Sequence, residues 1–252
     1  MQNTNRSFLT SIPPVTTHLL IINVLMWLAT VAFQQAGIID LNRWLGLHFW
    51  KGSNFSIYQF FTYMFMHGGI EHLFCNMFSL WMLGAILERV MGTKRYLIYY
   101  IVCGLGAGLA QELVWQFSWQ GILASGVSGP AAGSVKDIIE AINTGHAAFT
   151  MNDFYNSLMT IGASGAVFGI LLAFGMLFPN IPLNLFFIPI PIKAKWFVLG
   201  YGILELFFGV TGTVSGVAHF AHLGGLVTGV FLILYWKRKG ILNNRYGFYR
   251  PV

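Results

Sequence analysis

Residues 221–229 read Ala221-His222-Leu223-Gly224-Gly225-Leu226-Val227-Thr228-Gly229, inside an apolar run over 217–236 that holds no acidic, lysine or arginine side chain. About 20 mostly apolar residues suffice to cross the hydrocarbon core of a bilayer as one helix. Gly225 and Gly229 stand four apart, so they form a groove on one face that lets a second helix come close. His222 precedes Gly225 by three positions and falls on nearly the same face. An imidazole inside a membrane helix is costly, and by default it marks a working site.

Five further runs of this kind occur, roughly at 16–34, 72–90, 95–116, 161–178 and 195–212, the last containing Glu205. The chain of 252 residues is 56% apolar and only 9% charged, against roughly 25% charged in an ordinary soluble domain. The expected fold is therefore an all-α polytopic membrane protein of six spans. No polar stretch is long enough for a separate domain, so residues 1–252 read as a single membrane domain. It opens on a polar segment over 1–15, carries an extended outer loop over 118–157 and ends in a basic tail over 237–252. No basic-then-apolar leader with a small-residue cleavage site appears, so no cleaved signal peptide is expected. Between the fourth and fifth runs, prolines from Pro179 to Pro191 forbid a continuous helix and suggest a loop against the membrane interface. Cys75 and Cys103 fall in different apolar runs and read as buried thiols.

Orientation follows from lysine and arginine. With six spans, one side carries Arg6, Arg89, Lys94, Arg95, Lys193, Lys195, Lys237, Arg238, Lys239, Arg245 and Arg250, and the other only Arg43, Lys51 and Lys136. The positive-inside rule places both termini in the cytoplasm. The net charge of +6 thus belongs to membrane edges and anionic lipid, not to nucleic acid. Even-numbered spans then enter from the outer face. His72, Asn76, Ser164 and His222 all lie in the first turns of such spans, within roughly 5–10 Å of their outer ends at 1.5 Å per residue. Four polar side chains share one layer.

A serine in a membrane helix ordinarily bonds a backbone carbonyl or lets helices approach. Ser164, however, is flanked by glycine in Gly162-Ala163-Ser164-Gly165, which leaves its hydroxyl accessible. If the fourth span packs into the Gly225/Gly229 groove, Ser164 and His222 reach hydrogen-bond distance, and a neutral imidazole can take the hydroxyl proton. No carboxylate has an evident place as a third member, so a Ser–His pair is expected. Phe168, four residues after Ser164, shares its face and can stack on the imidazole, although spacing alone favours ordinary packing. His72 and Asn76, also four apart, offer donors where an oxyanion would form, or simply glue helices together. His67, Glu71, His72, His219 and His222 lack the spacing of a zinc-hydrolase motif, so no metal and no cofactor are expected. In the outer loop, Ser134-Val135-Lys136-Asp137 resembles a capping box ahead of a stripe of Val135, Ile138, Ile139 and Ile142, with Gly145 as a stop. That helix rests either on the outer leaflet or on other loops.

These strings together resemble the rhomboid family of intramembrane serine proteases. The carriers are Thr62-Tyr63-Met64-Phe65-Met66-His67-Gly68-Gly69 through His72 and Asn76, then Glu88-Arg89-Val90-Met91-Gly92, then Gly162-Ala163-Ser164-Gly165, then Ala221-His222 with Gly225 and Gly229. The resemblance implies a six-helix rhomboid-like bundle with a cavity open to the outside and catalytic Ser164 and His222. It assigns His72, Asn76 and the Ser164 amide to the oxyanion hole, and makes the fifth helix a lateral gate with Glu205 near its outer end. It implies single-span membrane protein substrates, cut near the outer face, and a multi-pass location in the bilayer, expected to be a bacterial inner (cell) membrane. The chain departs from the family in Tyr58-Gln59, where Trp-Arg is common, in Phe168, where tyrosine is frequent, and in the long outer loop. Two rival readings remain: a rhomboid-like protein that binds clients without cutting them, and a transporter or channel lined by the intramembrane His, Asn and Glu.

Overall fold

The computed structural model describes residues 12–126, 134–185, 188–212 and 218–242. Arg6, Arg245 and Arg250, counted above for orientation, and position 217, where the sixth run opens, lie outside the described residues. Helix α1, Pro14–Gln35, begins on a proline, the residue whose missing N–H costs nothing at a helix start. Its first turn is capped from a distance. The Val15 and Thr16 amides and the Thr16 hydroxyl donate to the Glu88 carboxylate at 2.8–3.0 Å. An anion at a helix N-terminus satisfies orphan amides and opposes the helix dipole, and this one is buried. Glu88 thereby fixes the start of the first span against the end of the second.

An outer segment follows, with α2 (Leu41–Leu45), β1 (Leu47–His48) and α3 (Gln59–Thr62). The second span, Ile70–Met91, is α4 (Ile70–Ser79), a π turn over Leu80–Gly84, and α5 (Ala85–Met91). Helix α6 runs Thr93–Gly126, so residues 118–126, expected as loop, are helical. Then come α7 (Val135–Asn143), α8 (Met151–Ser157), β2 (Met159–Thr160) and α9 (Ser164–Leu177). Strands β3 (Pro182–Leu185) and β4 (Ile188–Lys193) form an antiparallel hairpin where a loop was expected. A two-stranded ribbon leaves one edge of each strand unpaired, and there proline is tolerated. Helices α10 (Ala194–Thr211) and α11 (His219–Arg238) complete the order.

Among the described residues, five spans, α1, α4–α5, α6, α10 and α11, are long and apolar enough to cross a membrane. The expected fourth span, α9, has only 14 residues, about 21 Å at 1.5 Å per residue, against a hydrocarbon core of roughly 30 Å. It is buried along nearly its whole length and packs on α6, α10 and α11. The irregular backbone leading into it is enclosed by protein, the condition under which a membrane tolerates such backbone. At the other end, the Lys237 ammonium donates to the Met176 carbonyl, so the C-terminal ends of α9 and α11 meet. Of the two thiols, Cys103 is buried and Cys75 is exposed on the surface, which corrects the expectation for Cys75.

The outer segment is anchored to the chain just ahead of α9. Leu47 pairs with Thr160 and His48 with Met159, and the Phe49 amide donates to the Leu158 carbonyl. Phe49, Trp115 and Leu158 form a second small core, with Trp50, Trp119 and Tyr155 against it. Gln59, at the place where arginine is common, is buried and uses its whole hydrogen-bonding capacity. Its Oε1 accepts from the His48 and Ser56 amides, and its Nε2 donates to the Trp44 and Asn54 carbonyls. Helix α7 starts on the expected Ser134–Asp137 capping box, and α8 starts on an unforeseen second one, Thr150–Asp153. Ile138 is buried and α7 lies on α6, so its apolar stripe faces protein.

Replacing Gln59 by leucine orphans four backbone groups; each buried one costs roughly 1–3 kcal/mol, and a markedly lower Tm in detergent is the expected result. The capping boxes set a pH dependence. Hydrogen bonds from the Ser134 and Thr150 side chains, then from their amides, hold the Asp137 and Asp153 carboxyls below the ordinary 3.8. A carboxylate depressed in the folded state stabilises fully above its unfolded pKa and loses that effect as pH falls through the folded value. Amide exchange in α7 and α8 should therefore accelerate, relative to α6, below about pH 4.

Candidate active site

Ser164 is the first residue of α9, and Gly162, two residues before it, is held in place. The Gly162 amide donates to the Tyr63 carbonyl at 2.8 Å, and Gly162 has φ +130°, a conformation open to glycine and strained for other residues. A β-carbon at Gly162 would also lie 2.8 Å from His72 Nε2. Backbone conformation and close approach both require glycine there. The His72 ring is thereby set beside the strand that delivers Ser164.

His222 lies in the first turn of α11 and is 8% exposed. Its Nε2 is 2.8 Å from Ser164 Oγ. The two helices come together through glycine: a β-carbon on Gly225 would collide with the Gly165 carbonyl oxygen, and one on Gly165 with the Ala107 side chain. One turn on, a β-carbon on Gly229 would strike the Tyr99 hydroxyl, which itself donates to the Gly169 carbonyl at 2.8 Å. The expected groove at Gly225 and Gly229 is thus present, with α9 in it. Phe168 stacks on the His222 imidazole, centroids 4.2 Å apart and planes 8° from parallel, as its shared face with Ser164 suggested.

The other edge of that imidazole corrects the sequence reading. A carboxylate does have a place: Glu205 Oε2, from α10, lies 3.0 Å from His222 Nδ1 and 2.7 Å from His219 Nδ1. Glu205 is 4% exposed. One carboxylate oxygen has the lone pairs to accept from both rings. The signal available in sequence was an ionisable residue inside an apolar span, together with a second histidine one helical turn before His222. Glu205, His219 and His222 are also the one group among the described residues whose ligand atoms, all within 4.8 Å of one another, could hold a metal ion. Their mutual hydrogen bonds already engage the Nδ1 atoms and the carboxylate oxygen.

Asn76, one turn after His72 on α4, is buried, and its Nδ2 has no hydrogen-bond partner. A buried amide donor left unpaired costs roughly 1–3 kcal/mol, an expense that a ligand oxygen would offset. His67 packs edge-on against His72, centroids 5.0 Å apart. Burial, then the neighbouring His72, push its imidazole down to about 4, so it is a neutral packing partner at physiological pH.

A family model described as the Rhomboid domain matches residues 54–239, which takes in every residue named in this site. Rhomboid-like protein 11, chloroplastic, of Arabidopsis thaliana is 26% identical over 85% of this chain and 62% of its own length. The rhomboid protease GlpG of Pectobacterium atrosepticum is 22% identical over 92% of this chain and 66% of its own length. RHOMBOID-like protein 4 of Arabidopsis thaliana is 28% identical over 72% of this chain and 35% of its own length. The chain thus spans less than two thirds of the two Arabidopsis relatives.

The helix contact generates a prediction. Gly225→Ala inserts a methyl group against backbone that cannot yield; overpacking of this kind costs roughly 1–3 kcal/mol. It should also separate Ser164 from His222, slowing reaction of Ser164 with a fluorophosphonate at least tenfold. Gly121→Ala, where a β-carbon would meet nothing within 4 Å, should leave that rate unchanged.

Proposed function

The chain belongs to the rhomboid family, and from this premise we propose that it is an intramembrane serine endopeptidase that uses Ser164 and His222. The family includes intramembrane proteases, and integral placement in a membrane follows from the spans. The observation that carries the finer reading is the 2.8 Å separation of Ser164 Oγ from His222 Nε2 at the N-terminal ends of two packed helices.

In this reading the Ser164 hydroxyl gives its proton to His222 Nε2 as Oγ attacks the carbonyl carbon of the scissile peptide. The negative charge that develops on the carbonyl oxygen is met by the Asn76 amide, His72 and the Ser164 backbone N–H, donors placed in advance and not reorganised during reaction. The C–N bond then breaks, and the Nε2 proton passes to the leaving amine. Water entering next gives a proton to Nε2 as its oxygen attacks the acyl carbon; the acyl–Oγ bond then breaks, and the Nε2 proton passes to Ser164 Oγ, which restores the free serine. Phe168 restrains the imidazole by stacking throughout.

The substrates in this proposal are single-span membrane proteins presented near the outer face. Both termini lie in the cytoplasm of a cell whose inner membrane holds the chain. The bias of lysine and arginine toward one set of span ends supports that orientation.

Detergent-solubilised protein should be labelled by a fluorophosphonate and should cut a model transmembrane substrate, whereas Ser164→Ala should do neither and His222→Ala should fall nearly as far. Asn76→Ala should lower kcat by on the order of 10²–10³. A Ser164→Ala protein that still cleaves would remove Ser164 from the role, and flux across vesicles without probe reactivity would favour a transporter.

A further inference from the structure

A Ser–His pair leaves open what holds the imidazole in the one tautomer and angle that can accept a proton, and a stacked phenyl ring restrains the plane but not the protons. We propose that Glu205 is the positioning residue for His222 and that His219 in turn fixes Glu205, so that the site works as a Ser–His–Glu relay with a fourth, bracing member. The inference rests on the assignment of Ser164 and His222 above and extends it to two residues which that mechanism does not use.

A carboxylate accepts hydrogen bonds and donates none. With Glu205 Oε2 at 3.0 Å from His222 Nδ1, the stable arrangement puts the ring proton on Nδ1. The lone pair then falls on Nε2, the atom 2.8 Å from Ser164 Oγ. Glu205 thus selects the tautomer that can serve as a base. When Nε2 takes the serine proton, the Nδ1 proton stays where it is, and the imidazolium forms beside an anion. In a buried site such an interaction is far stronger than in water.

His219 completes the geometry. Its Nδ1, 2.7 Å from the same oxygen, occupies the second lone-pair direction and stops the carboxylate from rotating away. The two imidazoles stand nearly perpendicular, 86° between planes. The packing also explains why the device must be built this way. Glu205 is carried by α10, a helix otherwise open on its outer side, where Leu199, Ile203, Leu206, Phe207 and Val210 are exposed. Its one buried acidic side chain meets α11 at the catalytic ring. Base competence is thereby tied to the docking of a peripheral helix.

The test compares full-length wild type, Glu205→Gln, Glu205→Asp and His219→Gln in one detergent, each checked for Tm. The readouts are the rate of fluorophosphonate labelling at Ser164, and kcat and KM on a model transmembrane substrate. Glutamine keeps the size but can offer an amide N–H to Nδ1, which favours the wrong tautomer, so labelling and kcat should both drop by roughly 10–100-fold, with KM little changed. Aspartate keeps the anion and should recover part of the loss. His219→Gln should show a smaller fall, roughly threefold to tenfold, also in kcat. On the unaltered wild type, the His222 Nδ1 proton should give a downfield NMR resonance, a signature that needs no variant to fold.

Labelling of wild type at Ser164 with an unchanged rate in a folded Glu205→Gln would overturn the relay while leaving the protease reading intact. A change confined to KM would likewise overturn it, since that is what a purely packing role for α10 predicts. Wild-type activity abolished by a chelator and restored by zinc would replace the relay with a metal held by the same three side chains. If wild type is not labelled at Ser164 at all, the protease reading fails first.

Discussion

Two helix backbones touch at Gly165 and Gly225, and the rest of the site follows from that contact. Without a hydrophobic driving force inside lipid, helices associate through close packing and hydrogen bonds, and here the packing is close enough that no β-carbon fits on Gly225. The contact sets α9 and α11 in register at their N-terminal ends, where one begins with Ser164 and the other has His222 in its first turn. Phe168 then lands on the imidazole face, and Tyr99 locks the next turn through the Gly169 carbonyl. The polar groups meet because the apolar surfaces around them can approach.

Around this pair the protein builds outward rather than inward. The outer segment does not lie loosely over the bundle; through β1 and β2 it is hydrogen-bonded to the chain that runs into Ser164. Gln59 holds the turns of that segment with four bonds to backbone. The aromatic group of Phe49, Trp115 and Tyr155 fastens it to the long α6. Position 59 shows that anchoring here needs two donors and two acceptors in a plane rather than a charge.

Much of this was legible in the amino-acid string because it depends on local spacing. Apolar runs mark the spans, span direction puts His72, Asn76, Ser164 and His222 in one layer, and the i to i+4 relation puts Phe168 over the ring. What escaped has tertiary causes. Glu205 reaches His222 only because α10 packs on α11 in a particular register, and nothing in the spacing of 205 and 222 encodes that register. The end of α6 was missed since Trp119, Gly121 and the residues around them have no helix stop among them, while their mixed polarity imitates a loop. The β3–β4 hairpin was hidden by its prolines, which forbid a helix without announcing a ribbon. The Thr150–Asp153 capping box carried the same local signature as Ser134–Asp137 and needed only to be sought.

The shortness of α9 has a bearing on how this chain can drift in sequence. Sheathed by α6, α10 and α11, it scarcely meets acyl chains, so greasiness is not what its side chains are selected for; volume is. Helix α10 stands under the opposite regime along Leu199, Ile203 and Phe207, where any oily residue serves and shape hardly matters. Divergent descendants would keep the inner helix nearly letter for letter while the outward face of the peripheral one changes freely.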